Sequence, residues 1–329
     1  MLKTDPTPAS ALTNTPAIML TEARLAVLVP CRDEAVTIAQ VVADFRAALP
    51  GARIFVYDNN SSDGTARLAQ EAGAIVRAET RPGKGNVVRR MFADIEADAY
   101  ILVDGDGTYE ASAAPAMVQM LLQNQLDMVT GVRVDNSQAS YRRGHRFGNL
   151  MLTGIVRNIF GDQITDMLSG YRVFSRRFVK SFPALSTGFE TETEFTVHAL
   201  ELAMPLGELP TRYQERPEGS ASKLRTYRDG VRILRTIVNL VREERPLMFF
   251  SATAGFAVLV GLALGLPVVA EFMRSGLVPR LPTAILAAAF VGLGFASFAC
   301  GLILDSVARG RKEAKRIAYL SVPTFPTPQ

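Results

Sequence analysis

Between residues 25 and 110, short apolar runs alternate with longer segments whose apolar positions recur every three or four residues. LAVLVP (25–30), RIFVYD (53–58), AIVRAE (74–79) and AYILVD (99–104) have the length and β-branched or aromatic content of buried strands. Between them, AVTIAQVVADFRAAL, DGTARLAQEAG and GNVVRRMFADIEA carry helical spacing. Such alternation predicts a mainly parallel sheet with right-handed crossovers. Polar clusters follow three of the strands: CRDE, DNNSSDG and DGDG. Ligands of open α/β sheets bind at the carboxyl ends of the strands, so these clusters mark the predicted site.

The pattern changes toward the C-terminus. Residues 247–270 and 281–304 contain no charge, and each run exceeds the ~20 residues that cross a bilayer as a helix. Two spanning helices are predicted, with a pair of buried core helices as the alternative. Upstream, Val231, Ile233, Leu234, Ile237, Val238 and Val241 recur opposite Arg232, Arg235 and Arg242. This predicts an amphipathic membrane-surface helix over 227–246, or else a helix packed on the core. Basic residues flank both outer ends of the apolar pair, and by the positive-inside rule this places the residues before the first span and the basic tail 306–329 in the cytoplasm. Residues 1–24 lack a continuous apolar core and read as a flexible arm, not a signal peptide. The expected division is thus 1–24, a soluble domain at 25–226, the surface helix at 227–246, the spans within 247–305, and the tail. Gly255, Gly261, Gly265, Gly292, Gly294 and Ala296 permit close helix packing and hence self-association.

Composition narrows the chemistry. A formal charge of +4 over 329 residues gives no case for nucleic acid, and Cys31 and Cys300 imply no disulfide framework. No G-x-x-x-x-G-K-[ST] occurs, and GKGNVV lacks the third glycine of a dinucleotide fingerprint. What remains is a nucleoside-diphosphate site using a divalent cation: Asp104 and Asp106, one residue apart at a strand end, can both face an ion that bridges phosphates.

With these residues in place, VPCRDEAVTI, YDNNSSDGT, RPGKGNVVRRMF, LVDGDGTYE, TDMLSGYRVFSRR, GFETETEF and RYQERPEGSASK, in this order, resemble the family 2 glycosyltransferases of GT-A fold. The resemblance is to the branch of dolichol-phosphate mannose synthases and bacterial polyprenyl-phosphate glycosyltransferases. It implies an α/β, Rossmann-like, mainly parallel catalytic domain followed by two C-terminal transmembrane helices in the cytoplasmic (inner) membrane. By likeness, Pro30, Glu34 and Asp58 line the nucleotide pocket, Lys84 faces the phosphates, and Asp104 and Asp106 bind Mg²⁺ or Mn²⁺. This chain departs from the family pattern at Asn59 and Asn60, where Asp is common, and at Thr108, where Gln is common. The donor expected is a UDP-sugar ahead of GDP-mannose, and the acceptor a polyprenyl phosphate.

Candidates for holding the acceptor phosphate are Arg133, the cluster Arg142, Arg143 and Arg146, and Arg216 with Ser222 and Lys223; Arg133 and Arg216 are also placed in the catalytic set. Asp166 and Gly170 are expected to shape the acceptor side, and Glu190, Glu192 or Glu194 to lie near the sugar or to be a solvated acidic helix start. A phosphate monoester has a second pKa near 6 and is already anionic at neutral pH, so no strong general base is needed. His145 and His198 are accordingly read as structural. The sequence has no tryptophan, which removes the Q-x-x-R-W element of a processive polysaccharide synthase. A catalytically inactive scaffold, a partner of a lipid-sugar flippase, or a transferase acting on another lipid acceptor are the other readings.

Overall fold

The computed structural model describes residues 23–135, 154, 164–188, 190–214, 216–217, 234–235 and 238–325. The elements that matter for the site are β1 (Leu25–Cys31), α1 (Ile38–Ala48), β2 (Arg53–Asp58), α2 (Thr65–Glu71), β3 (Ile75–Ala78), α3 (Lys84–Asp94), β4 (Ala99–Leu102) and α4 (Ala114–Gln123). They are followed by β5 (Met128–Asp135), β6 (Arg172–Ser175), α5 (Arg176–Ser181), α6 (Thr191–Glu201) and β7 (Leu206–Tyr213).

The strands form one seven-stranded sheet in the order β3-β2-β1-β4-β6-β5-β7. β1 pairs in parallel with β2 and β4, and β2 with β3, as the alternation predicted. β6 runs antiparallel to both neighbours, while β5 and β7 are parallel to each other. Alternation along each central strand divides the core. Val27, Val29, Ile101 and Val103 pack with Ile38, Phe45 and Val118 on one face. Ala26, Leu28, Tyr100 and Leu102 pack with Val88, Met91, Phe92, Phe178 and Phe195 on the other. Both faces of the sheet are covered, which is why these strands read as unbroken apolar runs.

Two further helices, α7 (Pro246–Ser275) and α8 (Leu281–Leu320), carry windows of mean hydropathy 2.2 and 2.1 that are only 17% buried. Both are long and apolar enough to cross a membrane, with Phe256, Leu259, Leu266, Leu293, Phe295 and Ile303 exposed. Their buried positions recur at seven-residue spacing, Ala254, Gly261 and Val268 on α7 and Ala287, Gly294, Gly301 and Ala308 on α8, and all but Val268 are small. A Cβ on Gly261 would meet Val291 and the Ala287 carbonyl, and one on Gly294 would meet Val258. Gly261, Gly265 and Gly294, expected to serve self-association, thus face the partner helix of the same chain, while Gly255 and Gly292 have open space beside them.

The chain separates into two compact units, one comprising the residues up to 233 and from Arg316 onward, the other Leu234–Lys315. The tail expected from residue 306 therefore does not begin with a break: α8 runs on to Leu320, and its last turn belongs to the sheet-bearing unit. The reason is packing, because Tyr319 joins the core around Phe174 and Phe178, and Phe325 the core around Leu121 and Val129. The arm at 1–24 falls outside the described residues except for 23 and 24, and of the surface helix expected at 227–246, residues 234–235 and 238–246 are described, with 234–235 and 238–244 helical.

Candidate active site

The site assembles from loops that leave β1, β2 and β4 on neighbouring positions in the sheet. After β1, Asp33 takes a left-handed backbone (φ 50°), donates from its amide to Ser61 Oγ at 2.9 Å and accepts from the Ser62 amide at 2.7 Å. The Glu34 amide donates to Thr65 Oγ1 at 2.8 Å, and Ala35 to Asp63 Oδ2 at 3.0 Å. CRDE and DNNSSDGT are thereby laced into one surface, in which the strand register sets Pro30 opposite Tyr57 and Cys31 opposite Asp58, while Glu34 meets the loop at Thr65. Asp58 Oδ2 accepts the Ser61 amide at 3.2 Å, while its buried Oδ1 has no partner among the described residues.

Asn59 explains itself chemically. Its amide donates to the Glu79 carbonyl at 2.7 Å and the Arg81 carbonyl at 2.8 Å, and its oxygen accepts from the Gly83 amide at 2.7 Å. A carboxylate could make only the last of these bonds. Gly83 (φ 123°) then turns the chain so that Lys84 opens α3.

The DGDG turn follows β4. Lys84 Nζ bridges Asp104 Oδ1 and Glu192 Oε1, each at 2.5 Å, from a side chain only 9% exposed. Burial works against the ammonium, but the two carboxylates outweigh it and hold the Lys84 pKa above its ordinary value. Asp106 Oδ2 meets Arg216 Nη2 at 2.5 Å, and Asp106 Oδ1 accepts both the Thr108 amide (3.1 Å) and hydroxyl (2.6 Å). Burial, and then the charge of Asp104, push the Asp106 carboxyl up despite Arg216. Thr108, where the family has Gln, is thus spent orienting Asp106. Gly170 lies against Asp104 Oδ2, where a Cβ would collide, and its amide donates to Tyr109 Oη at 2.9 Å.

Arg133 on β5 is held by Asp166 through paired contacts, Nε and Nη2 each at 2.8 Å, and its guanidinium lies 5.6 Å from the Tyr213 ring, which packs on Tyr109. It enters the site region already clamped. Among the acidic residues of FETETEF, Glu192 alone contacts Lys84; Glu194 accepts the Leu185 and Ser186 amides at 2.8 and 2.9 Å and so anchors the preceding loop. Glu190 accepts the Gly188 amide at 3.2 Å. His198 is buried against Phe178 and Phe182 with Nε2 at 3.1 Å from Ser181 Oγ, a core position. Arg142, Arg143, His145, Arg146, Ser222 and Lys223 lie outside the described residues.

Sequence reasoning missed two contributors, Arg172 and Tyr109, and named Asp166 without its partner. Arg172, wholly buried, donates to the Ser169 and Met167 carbonyls and to Thr196 Oγ1 beneath the Gly170 turn. Tyr109 and Asp166 tie the β6 side to DGDG and to Arg133. Of the two missed residues, Tyr109, next to the DGDG motif, carried a local signal.

Two carboxylate oxygens from Asp104 and Asp106 are hard donors of the kind Mg²⁺ or Mn²⁺ takes. Each carboxylate already faces a cation of the chain, Lys84 at Asp104 and Arg216 at Asp106, so the pair is a place that holds positive charge and fits such an ion. Among the described residues no group of three or more His, Cys, Asp and Glu is arranged to hold a metal by itself, so remaining ligands would come from a diphosphate and water.

Comparison with known proteins identifies the class of enzyme that carries this site. The model of glycosyl transferase family 2 matches residues 26–182. The glycosyltransferase AglJ of Haloferax volcanii is 33% identical over 92% of this chain and 100% of its own length. A dolichyl-phosphate hexose transferase from the same organism is 25% identical over 67% of this chain and 95% of its own. Glucosyl-3-phosphoglycerate synthase of Mycobacterium tuberculosis, solved with Mn²⁺, UDP and glucosyl-3-phosphoglycerate, superposes with a TM-score of 0.56 at 20% identity, covering 72% of this chain and 85% of that one. This last likeness carries the fold, GT-A. The chain belongs to family 2 of the glycosyltransferases.

Proposed function

We propose that this glycosyltransferase is membrane-anchored and moves a hexose or N-acetylhexosamine, with inversion, from a nucleoside-diphosphate sugar to a polyprenyl monophosphate. The observation that carries the reading is the convergence of Asp104, Asp106, Lys84 and Arg216 at one strand end. Two anionic substrates must meet there, and two cations on a carboxylate pair suit that task. Support for a lipid acceptor comes from the exposed apolar faces of α7 and α8 and from the dolichyl-phosphate relative. Support for UDP and a divalent ion comes from the solved neighbour's ligands.

The residues divide the work as follows. Pro30, Glu34 and Asp58 line the nucleoside pocket, where the unpartnered Asp58 oxygen accepts from base or ribose. Asp104 and Asp106 would hold a divalent ion, which would supply charge neutralisation for the departing diphosphate. Lys84 donates to the diphosphate. Arg216 and Arg133, the latter oriented by Asp166, hold the acceptor phosphate together with Arg146, Ser222 and Lys223. That phosphate's anionic oxygen attacks the anomeric carbon directly, the bond to the diphosphate breaks, and no side chain need take a proton. The catalytic domain and the charged helix ends face the cytoplasm, and a second copy packs on the helix surface that bears Gly255 and Gly292.

Membranes containing the protein, supplied with polyprenyl phosphate and a panel of radiolabelled UDP- and GDP-sugars, should transfer label from a UDP-sugar into the organic phase in a Mg²⁺- or Mn²⁺-dependent way. Competition by UDP but not GDP is expected. Label that stays water-soluble with every donor would sink the lipid acceptor, and inhibition by GDP alone would reverse the donor assignment.

A further inference from the structure

The two aspartates of the DGDG turn are neutralised by cations of the chain itself, and the two arrangements differ in kind. Lys84 is shared between Asp104 and Glu192, and its backbone is fixed at the start of α3 by the bond from Gly83 to Asn59 and that from the Gly85 amide to the Thr187 carbonyl. Arg216 lies beyond the end of β7, outside any ladder, with its side chain 24% exposed. It covers Asp106 Oδ2, while Oδ1 is taken twice by Thr108. Asp106 itself is 4% exposed, so water does little to screen one cation on this carboxylate from another.

We infer that Arg216 and a divalent cation are alternative occupants of Asp106, so that loading of the ion moves the guanidinium off this carboxylate and makes it available to a phosphate oxygen. The inference rests on the reading of Asp104 and Asp106 as the metal ligands. It couples the two substrates in order: the ion arrives with the diphosphate donor, and its arrival presents the arginine to the acceptor phosphate. Glu192 is the positioning residue of the same device. By sharing the ammonium with Asp104, each at 2.5 Å, it takes part of the charge that Asp104 would otherwise hold alone, and its second oxygen is buried without a partner among the described residues. At Asp106 a cation of the chain competes with the ion. At Asp104, Glu192 relieves such competition.

The device makes opposite predictions for two substitutions. Mn²⁺ binding to purified full-length protein in detergent, read from the electron paramagnetic resonance of free Mn²⁺ without nucleotide, should strengthen about tenfold in Arg216→Gln, the scale of one charge-assisted contact. In Glu192→Gln it should weaken by a similar factor, because Lys84 then has Asp104 as its remaining carboxylate. General damage to the fold would weaken both, so the opposite signs are diagnostic. Unchanged or weaker Mn²⁺ binding in Arg216→Gln, with the wild type binding normally, overturns the inference and leaves the proposed function standing. Failure of the wild type to bind Mn²⁺ even with UDP present overturns the metal assignment and the inference together.

Discussion

The two halves of the sheet contribute to the site in different ways. In the β1–β4 half, chemistry follows strand ends directly: CRDE, DNNSSDG and DGDG each leave a parallel strand, and short bonds such as Asp33 to Ser62 and Asn59 to Gly83 lace them together. In the β5–β7 half, the chain reverses at β6, and its charged residues reach partners far away in sequence, as Glu192 does with Lys84 across 108 positions. The first half presents ligands, and the second supplies countercharge and rigidity. A carboxylate pair is useful only when something sets its charge, so the second half decides what the first can bind.

This division also explains what could be read from the sequence. The parallel half was legible because period-2 and period-3.6 patterns, strand-end polar clusters and the D-x-D spacing are all local. The apolar helices were legible for the same reason, as runs longer than a bilayer needs. The reversed strand RVFS is four residues long and holds a buried arginine, which no periodicity rule assigns to a sheet interior. Asn59 looked like a departure from the family pattern until its three hydrogen bonds were visible. The pairing of Arg133 with Asp166 and of Arg216 with Asp106 depends on tertiary return of the chain, which spacing alone does not encode.

The largest effect should come from the ligand-presenting half. Asp104→Asn or Asp106→Asn should lower transfer by at least about a thousandfold, the scale of losing a principal electrostatic contact to the leaving group. The melting temperature in detergent should stay within a few degrees of wild type, since Lys84 keeps Glu192 when Asp104 is neutralised and the partly exposed Arg216 can be resolvated when Asp106 is. Chelation should mimic both variants and be reversed by Mn²⁺ or Mg²⁺. Near-normal transfer by either variant in chelator would erase the functional contrast between the halves.

Next in size is a substitution in the supporting half that touches no substrate. Arg172→Met strands the Ser169 and Met167 carbonyls and removes the bond to Thr196. Unsatisfied buried groups cost ~1–3 kcal/mol each, so a loss of about 3 kcal/mol is expected, or roughly 6–12 °C for a domain of this size. Because Gly170 and Glu192 rest on this scaffold, transfer should fall as well. Equal stability of the variant and the wild type would show that the guanidinium merely fills space. Asn59→Asp, in the other half, should cost less: about 2 kcal/mol from two lost donations and a carboxylate facing two carbonyls, with UDP affinity lowered about tenfold. Calorimetric titration with UDP beside a thermal melt measures both, and an affinity equal to wild type would mean that the clip does not shape the donor loop.

The smallest effect lies in the basic tail, whose first residues continue α8 and whose Tyr319 packs on the sheet-bearing unit. Tyr319 donates to Asp127 Oδ2 at 2.7 Å, and Arg177 lies 5.0 Å from its ring. Asp127 is wholly buried, and its other oxygen accepts from Ser175 Oγ at 2.6 Å and Arg177 Nε at 3.1 Å. The carboxylate therefore keeps partners when the phenol is removed, and Tyr319→Phe should cost only ~1 kcal/mol, or about 2–4 °C. Its signature is the pH dependence. Burial, and then the bond to Asp127, push the Tyr319 pKa up to about 12 from 10.0. A group whose folded pKa is raised binds its proton longer in the native state, so its stabilisation is complete below about pH 10 and lost as the pH climbs through 12. The stability gap between wild type and Tyr319→Phe should thus be constant from pH 7 to 9 and close between about pH 10 and 12. Paired urea titrations across that range measure the gap directly. A gap that ignores pH would mean that the ring's packing, and not its hydroxyl, fastens the end of α8 to the sheet.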